Sequence, residues 1–270
     1  MHEELRTGTQ ITAVLRQTTF ESRAMSLGHV IKKKVFITLK ASRPISYCCW
    51  CIILGHGMMY SRTISHPTVL LYTAFQTFTV SIPVSIRTCL HLDLILYTYQ
   101  CFVLVFFAVN DVYDYETDRR NSRKLADGLE GTVLSPLHHK DVLTAALLSA
   151  ATILLAATAT QCRDNILASV LLVFIVWQYS SPPLRMKEIP IIDSLSNGCI
   201  GFLIWFFGFS YSGSSIFEVP VTAIMKGFCG VGIHALAAAV DAEADAAGGQ
   251  VTIGTVFGKR PAAIFAFVCL

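Results

Sequence analysis

Long apolar runs separated by short polar segments dominate the chain after its first 40 residues. Several runs approach the ~20 residues that a helix needs to span a bilayer. The runs cover residues 45–60, 68–86, 92–110, 142–160, 165–181, 198–211, 219–240 and, incompletely, 261–270. The first run is short and the sixth is rich in Gly and Phe, so the boundaries of the helices can differ from those of the runs by several residues. This pattern predicts an all-α, polytopic membrane helical bundle formed by one domain, residues 41–270.

Residues 1–40 are polar and of mixed charge. No apolar stretch of signal-peptide length precedes Val35, and three acidic residues (Glu3, Glu4 and Glu21) disfavour a transit peptide. We therefore predict a flexible cytosolic tail that ends in a basic cluster flanking the membrane.

The stretch NDVYDYETD closes the third run and concentrates oxygen ligands. At about 100° per residue, four of its side chains fall within an arc of roughly 80–100° on one helix face. They are Asn110, Asp111, Asp114 and Asp118. Three carboxylates on one stripe repel one another unless a cation lies among them. Such clusters suit Mg²⁺, which keeps several waters and takes further ligands from a phosphate.

A second acidic pair, Asp241 and Asp245, follows the seventh run, again four residues apart. A lone pair with this spacing is usually a solvated helix end. Two acidic stripes that each close a hydrophobic segment instead indicate a diphosphate held by metal ions at a membrane surface.

The composition supports a membrane protein, with 53% hydrophobic residues, 14% charged residues and a mean hydropathy of +0.56. The net charge of +3 is too small to indicate a nucleic-acid partner. The nine cysteines show no paired spacing, so we expect them to pack as small apolar residues.

Charges between the runs predict which helix ends share a membrane face. Three loops are basic and the loops between them are poor in cations, so the positive-inside rule places all three in the cytosol. The basic residues are Arg119, Arg120, Arg123, Lys124 and Lys140; Arg185 and Lys187; and Lys259 and Arg260. Four runs separate the two acidic stripes, so both are predicted to face one cavity on the cytosolic side.

The number of apolar runs does not agree with the charge pattern in the first part of the chain. Lys32–Lys40 and Arg43 also look cytosolic, yet three runs lie between Arg43 and Asn110. Either one of the runs 68–86 and 92–110 does not cross the membrane, or the tail lies outside.

We expect residues 87–101 to form an irregular or re-entrant segment. Arg87, His91 and Asp93 lie there within seven residues, and a charge at a helix centre costs about 2.5–3.5 kcal/mol. If the segment folds back, Arg43 points toward the first acidic stripe.

The loop YSSPPLRMKE lies between the fifth and sixth runs. Pro182 and Pro183 predict an extended segment that delivers Tyr179, Arg185 and Lys187 to the face of the acidic stripes. Arg offers a planar fork, and Lys a compact charge, to phosphate oxygens. Each cation alone could equally be an ordinary membrane anchor.

Together these motifs, NDxxDxxxD, YSxPPLRxK and DxExDxxxG, resemble the UbiA-type intramembrane prenyltransferases. Arg43–Pro44 is similar to an early Arg-Pro of that family, and the resemblance covers about residues 40–260. The stretch LRMKEIPIIDSLSNG is most similar to the branch of lycopene elongases and other non-aromatic prenyltransferases. The resemblance implies a helical bundle around a central cavity that binds an allylic prenyl diphosphate.

The resemblance also implies residue roles. The cofactor Mg²⁺ would join the diphosphate to Asn110, Asp111, Asp114 and Asp118 on one side and to Asp241 and Asp245 on the other. Diphosphate or substrate contacts would come from Arg43, Asn110, Asp111, Tyr179, Arg185 and Lys187. The residues expected to carry catalysis are Asp114, Asp118, Asp241, Asp245, Arg185 and Lys187.

Two features depart from the family pattern. RRNSRKLADG follows the first motif where many members with aromatic acceptors carry RPLxSG, which weakens quinone or haem biosynthesis as the role. The chain ends at Leu270 within an expected helix, so we expect a bundle that is incomplete at its C-terminus.

The leading hypothesis is a prenyltransferase with a lipophilic, non-aromatic acceptor. Diphosphate leaves only when its charge is neutralised, and the allylic cation needs a dry cavity. A membrane terpene cyclase, in which the cation attacks its own chain, needs the same site. A non-catalytic transporter or structural membrane protein is the third alternative. Aromatic faces that could stabilise the cation are those of Phe202, Trp205, Phe206, Tyr113 and Trp177.

Overall fold

The computed structural model describes residues 28–38, 40–41, 46–61, 90–120 and 133–270, with the side chains of 46–51 and 90–100 left aside. Within these residues every regular element is helical. The α-helices are α1 (28–38, continued at 40–41), α2 (Ser46–Tyr60), α3 (Leu90–Tyr113), α4 (Tyr115–Asp118), α5 (His139–Ala159), α6 (Arg163–Ser180), α7 (Ile192–Ser210), α8 (Val221–Gly248), α9 (Ile253–Phe257) and α10 (Lys259–Cys269). Short 3₁₀ turns lie at Pro136–His138, Met186–Glu188 and Ile216–Glu218.

Helix α7 lies at the centre of the bundle, where it packs against α2, α6 and α8. Its sequence is apolar around most of its circumference, which is typical of a helix buried on all sides. Ile200 and Ile204 of α7 are fully buried, as are Val105 and Val109 of α3, which packs on α5 and α6. The core therefore runs between α3 and α7.

Glycines allow α2 and α7 to cross at close range. A Cβ atom on Gly57 would lie 2.1 Å from the carbonyl oxygen of Trp205, and one on Gly208 would lie 2.3 Å from that of Leu54. Small residues at such crossings let helix backbones approach closely, as in membrane bundles.

Three helices in the described part of the chain are long and apolar enough to cross a membrane: Pro136–Ala159, Ile192–Ser210 and Val221–Gly248. Large apolar side chains on the outside, among them Leu147, Leu148 and Leu155 of α5, are exposed. An outer apolar surface over a packed interior is what a lipid-facing bundle requires.

The prediction of an irregular segment at 87–101 is wrong from Leu90 onward, because α3 is continuous from Leu90 to Tyr113. A re-entrant course of this segment stays a prediction. Arg43 and the run 68–86 lie outside the described residues.

Helix boundaries differ from the apolar runs at two places. Helix α7 begins six residues before the predicted start, and α8 continues eight residues beyond residue 240. The extension of α8, DAEADAAG, is polar but rich in Ala, the strongest helix former. Gly249 ends it in the left-handed conformation, with φ 74°. Helix propensity rather than hydrophobicity thus sets this end.

The segment after α6 is a compact turn and not the predicted extended strand of chain. The backbone N–H of Arg185 donates to the carbonyl of Ser181 at 3.1 Å, and Met186–Glu188 then forms a 3₁₀ turn. The chain must reverse here because α6 and α7 pack against each other.

Part of the predicted flexible tail is helical, since α1 covers residues 28–38. Lys34 of α1 pairs with Asp141 at the start of α5, with Nζ 2.9 Å from Oδ1. This contact attaches the end of the tail to the bundle.

Candidate functional site

A polar cavity of about 280 Å³ opens where the ends of α3, α6 and α8 meet the start of α7. The motif residues that line it are Asn110, Asp114, Tyr179, Lys187, Asp241 and Asp245. Its other lining residues are Thr117, Glu188, Asp193, His234, Ala237, Ala238, Gln250, Val251 and Thr252. The two acidic stripes therefore face one cavity, as the even number of intervening runs predicts.

The first acidic motif is not one continuous helix, because a turn at Asp114 separates α3 from α4. Asp114 has φ −96° and ψ 1°, yet its N–H still donates to the carbonyl of Asn110 at 2.9 Å. The motif thus keeps its approximate helical register across the turn. Asn110 donates from its side-chain nitrogen to Ser180 Oγ at 3.0 Å, which leaves the amide oxygen as the atom it can offer to a cation.

Lys187 and Asp114 form an ion pair in the wall of the cavity, with Lys187 Nζ donating to Asp114 Oδ1. Their side chains are only 14% and 4% exposed. Burial lowers the pKa of Lys187 to about 8, although the carboxylates of Glu188 and Asp193 act to raise it. At neutral pH this ammonium group is charged and balances Asp114.

Behind the cavity a buried network joins α6, α7 and α8. The Tyr179 hydroxyl donates to Asp193 Oδ1 at 2.7 Å, and Asn197 Nδ2 donates to the Tyr179 oxygen at 2.9 Å. His234 Nδ1 lies 3.2 Å from Ser194 Oγ, and its Nε2 lies 3.7 Å from Asp193 Oδ1. Because Asp193 is only 2% exposed, its charge depends on these neighbours for stabilisation.

A second, apolar cavity of about 610 Å³ adjoins the polar one. It lies between α2, α7 and α8, and His234 and Ala237 line both cavities. Phe202, Trp205 and Ile233 supply part of its apolar wall. Lys226 also lines it, with Nζ 3.0 Å from His56 Nε2. The arrangement offers a polar chamber for a charged group beside an apolar chamber for a hydrocarbon.

The charges lining the polar cavity make it unsuited to an anion without added cations. Five carboxylates face one ammonium group among the described lining residues. No three His, Cys, Asp or Glu side chains in the described part converge as a metal cage. Mg²⁺ in phosphate sites commonly uses one or two carboxylates together with water and substrate oxygens, so this donor set fits the ion.

Several predicted site residues lie elsewhere. Asp111 and Asp118 are buried, at 3% and 2% exposure, but are not among the residues that line the cavity. Arg185 does not line it either, because its Nη2 lies 2.5 Å from Glu188 Oε1 in a separate ion pair. Arg43 falls outside the described residues.

Of the aromatic residues predicted to stabilise the cation, some line the apolar cavity and others pack in the core. Phe202 and Trp205 line the apolar cavity, whereas Phe206 is buried among core residues. Tyr113 and Trp177 are half-buried and pack against the core. The five described cysteines (Cys101, Cys162, Cys199, Cys229 and Cys269) are free, as their spacing predicts.

Sequence reasoning missed Asp193 and His234. A helical-wheel signal was present, since His234 lies seven residues before Asp241 and eleven before Asp245, which places all three on one face of α8. Asp193 likewise lies four residues before Asn197 on α7. His234 lies within the apolar run 219–240, where a polar side chain is costly unless it has a partner or a role.

Comparison with known proteins places these features in context. Residues 48–270 match the UbiA prenyltransferase family. A lycopene elongase/hydratase of Corynebacterium glutamicum is 33% identical over 160 residues, which is 59% of this chain and 55% of that protein. A C(50) beta-cyclic carotenoids biosynthesis protein of Dietzia sp. is 32% identical over 168 residues, or 62% of this chain and 38% of that protein. The chain therefore spans between 38% and 55% of these curated relatives.

Solved structures share the fold. A UbiA homolog from Archaeoglobus fulgidus, bound to DMAPP and Mg²⁺, has a TM-score of 0.65 at 21% identity, over 86% of this chain and 73% of its own. A UbiA homolog from the same organism bound to GPP and Mg²⁺ also gives 0.65, at 22% identity and the same coverage. At these identities the similarity concerns the fold alone.

Proposed function

The chain belongs to the UbiA prenyltransferase family, and from that premise we propose that it is a Mg²⁺-dependent intramembrane prenyltransferase. It ionises an allylic prenyl diphosphate and transfers the prenyl group to a lipophilic, non-aromatic acceptor of the carotenoid class. The active-site loops face the cytosol, in agreement with the basic residues beside both acidic stripes.

The observation that carries the proposal is the junction of two chemically different cavities at His234 and Ala237. The polar chamber suits a diphosphate with metal ions, and the apolar chamber suits hydrocarbon. Because they adjoin, a prenyl diphosphate can place its head in one and its reacting carbon near the other.

In this proposal Asn110 and Asp114 would hold one metal ion, and Asp241 and Asp245 would hold another. Such ions would neutralise the diphosphate and make it a better leaving group. Lys187 adds a point charge beside Asp114 and can donate to a phosphate oxygen. Five carboxylates with one ammonium would otherwise repel the anion, which is the physical reason to expect strict metal dependence.

After ionisation the allylic cation must meet the acceptor before it meets water. The apolar chamber excludes water, and the ring faces of Phe202 and Trp205 in its wall favour a cation. The acceptor class is proposed from the relatives named lycopene elongase/hydratase and from the motif RRNSRKLADG, which departs from the pattern of aromatic-acceptor members.

The test uses membranes containing the full chain, with DMAPP or GPP as donor and lycopene as acceptor. We expect diphosphate release and prenylated lycopene in the presence of Mg²⁺, and neither after chelation with EDTA. A cyclic hydrocarbon formed from GPP without lycopene would support the terpene cyclase instead. No Mg²⁺-dependent diphosphate release with either donor would refute both enzymatic functions.

A further inference from the structure

His234 occupies a position that the roles assigned above do not use. It projects from α8 at the boundary of the two cavities and, like Ala237, lines both. Its side chain is 28% exposed, so it is accessible from the cavities. It is thus placed where a prenyl group would leave the polar chamber and join a hydrocarbon.

The two ring nitrogens of His234 have different surroundings. Nδ1 lies 3.2 Å from Ser194 Oγ, within hydrogen-bond distance. Nε2 lies 3.7 Å from Asp193 Oδ1, which is too long for a direct hydrogen bond. With the proton on Nδ1, Ser194 accepts it and Nε2 keeps a lone pair.

Asp193 is poised to stabilise His234 once the ring is protonated. The carboxylate is held by the Tyr179 hydroxyl at 2.7 Å and is almost fully buried. A positive imidazolium 3.7 Å away is attracted to it, whereas neutral imidazole is not. Lys187, Glu188 and Asp241 also face this cavity.

The proposed transfer needs a proton acceptor at this place. When an acceptor double bond attacks the allylic cation, a carbon–carbon bond forms and the positive charge moves to the acceptor. The reaction ends only when that cation loses a proton or captures water. The acidic groups proposed as metal ligands line only the polar cavity and would be occupied by the ions.

We propose that His234 is the base that ends the reaction, with Asp193 and Ser194 as positioning residues. The C–H bond next to the cationic carbon breaks, its electron pair forms the new double bond, and the proton moves to Nε2. The imidazolium then releases the proton to water through the polar cavity. This inference rests on the proposed prenyl transfer.

The test compares alkene and alcohol products of DMAPP and lycopene for wild type and His234→Gln. We expect alkene formation to fall about 100-fold, the lower end for general-base catalysis, with the prenyl group recovered in water-captured alcohols. The KM for DMAPP should change less than about twofold, because His234 is not assigned to diphosphate binding. His138→Gln is the matched control, because His138 lines neither cavity, and it should keep the wild-type product ratio.

Each other result overturns the inference. Unchanged alkene formation in His234→Gln would do so, as would loss of the alcohol alone, which would mean that His234 activates water. An equal fall in DMAPP consumption and alkene would assign a structural role. If His234→Gln does not fold, Ser194→Ala decides: a lower alkene fraction supports the inference and an unchanged one overturns it. A wild type without any transfer refutes the proposed function as well, so the two failures are distinguishable.

Discussion

The ion pair between Lys187 and Asp114 gives a sharp test of how the site is built. The two residues are 73 positions apart, so their contact exists only if the turn after α6 packs against the end of α3. We consider Lys187→Met, Asp114→Asn and the double variant. Each single change keeps the approximate shape of the side chain and removes one charge.

The size of the effect follows from burial. With side-chain exposures of 14% and 4%, the pair is nearly desolvated, and breaking a buried pair by removing one partner costs about 3–5 kcal/mol. The pair borders a cavity that water can enter, so we expect the lower end, about 3 kcal/mol for each single variant. In the double variant neither charge is left alone, so the two losses should not add, and the coupling should be about 2 kcal/mol.

The assay is thermal unfolding of the purified protein in detergent at pH 7, without Mg²⁺ or substrate. At about 2 °C per kcal/mol for a chain of this size, each single variant should lower the Tm by about 6 °C. Lys259→Met is the matched control, because Lys259 pairs with Glu243 at 2.6 Å but the side chains are 52% and 86% exposed. Solvent screens an exposed pair of this kind, so Lys259→Met should lower the Tm much less than Lys187→Met.

Two results would refute this reasoning. If Lys187→Met were no more destabilising than Lys259→Met, the buried pair would not exist in solution. If the single losses added in the double variant to within about 0.5 kcal/mol, the two residues would act independently.

Three further predictions concern the metal site, the pH dependence and the packing. Asp241→Asn should lower Mg²⁺-dependent diphosphate release at least ~100-fold. Glu243→Gln, on the exposed side of the same helix, should leave this release unchanged. An equal loss in both variants would contradict a metal site formed by the two acidic stripes. Because burial lowers the pKa of Lys187 to about 8, its ammonium group is charged below that pH and neutral above it. The kcat/KM for the prenyl diphosphate should therefore decrease above pH 8, with a limiting slope of about tenfold per pH unit. Lys187→Arg should lack this alkaline limb, since Arg stays protonated, and an unchanged limb would exclude Lys187 as its source. Gly57→Ala should destabilise the protein by about 1–3 kcal/mol in thermal unfolding, because its Cβ would meet the Trp205 carbonyl, while Gly201→Ala, with open space around it, should not.

The two acidic stripes are the part of the candidate site that the sequence pattern predicts best. Their separation by an even number of apolar runs predicts that Asp114, Asp241 and Asp245 face one cavity, and all three line it. The charged and polar residues at 87–101 did not predict the backbone there, because α3 is helical from Leu90 onward although it contains Asp93.

The sequence by itself determined the all-helical membrane bundle, most helix positions and the family. Hydrophobicity and helix propensity act residue by residue along the chain, so the runs carry this information locally. Tertiary structure decided which polar groups meet. Packing of α6 against α7 folds the proline segment into a turn that pairs Lys187 with Asp114 and Arg185 with Glu188. It also brings Asp193 of α7 beside His234 of α8. These contacts depend on helix crossings and side-chain directions across distant segments, which no pattern of neighbouring residues encodes.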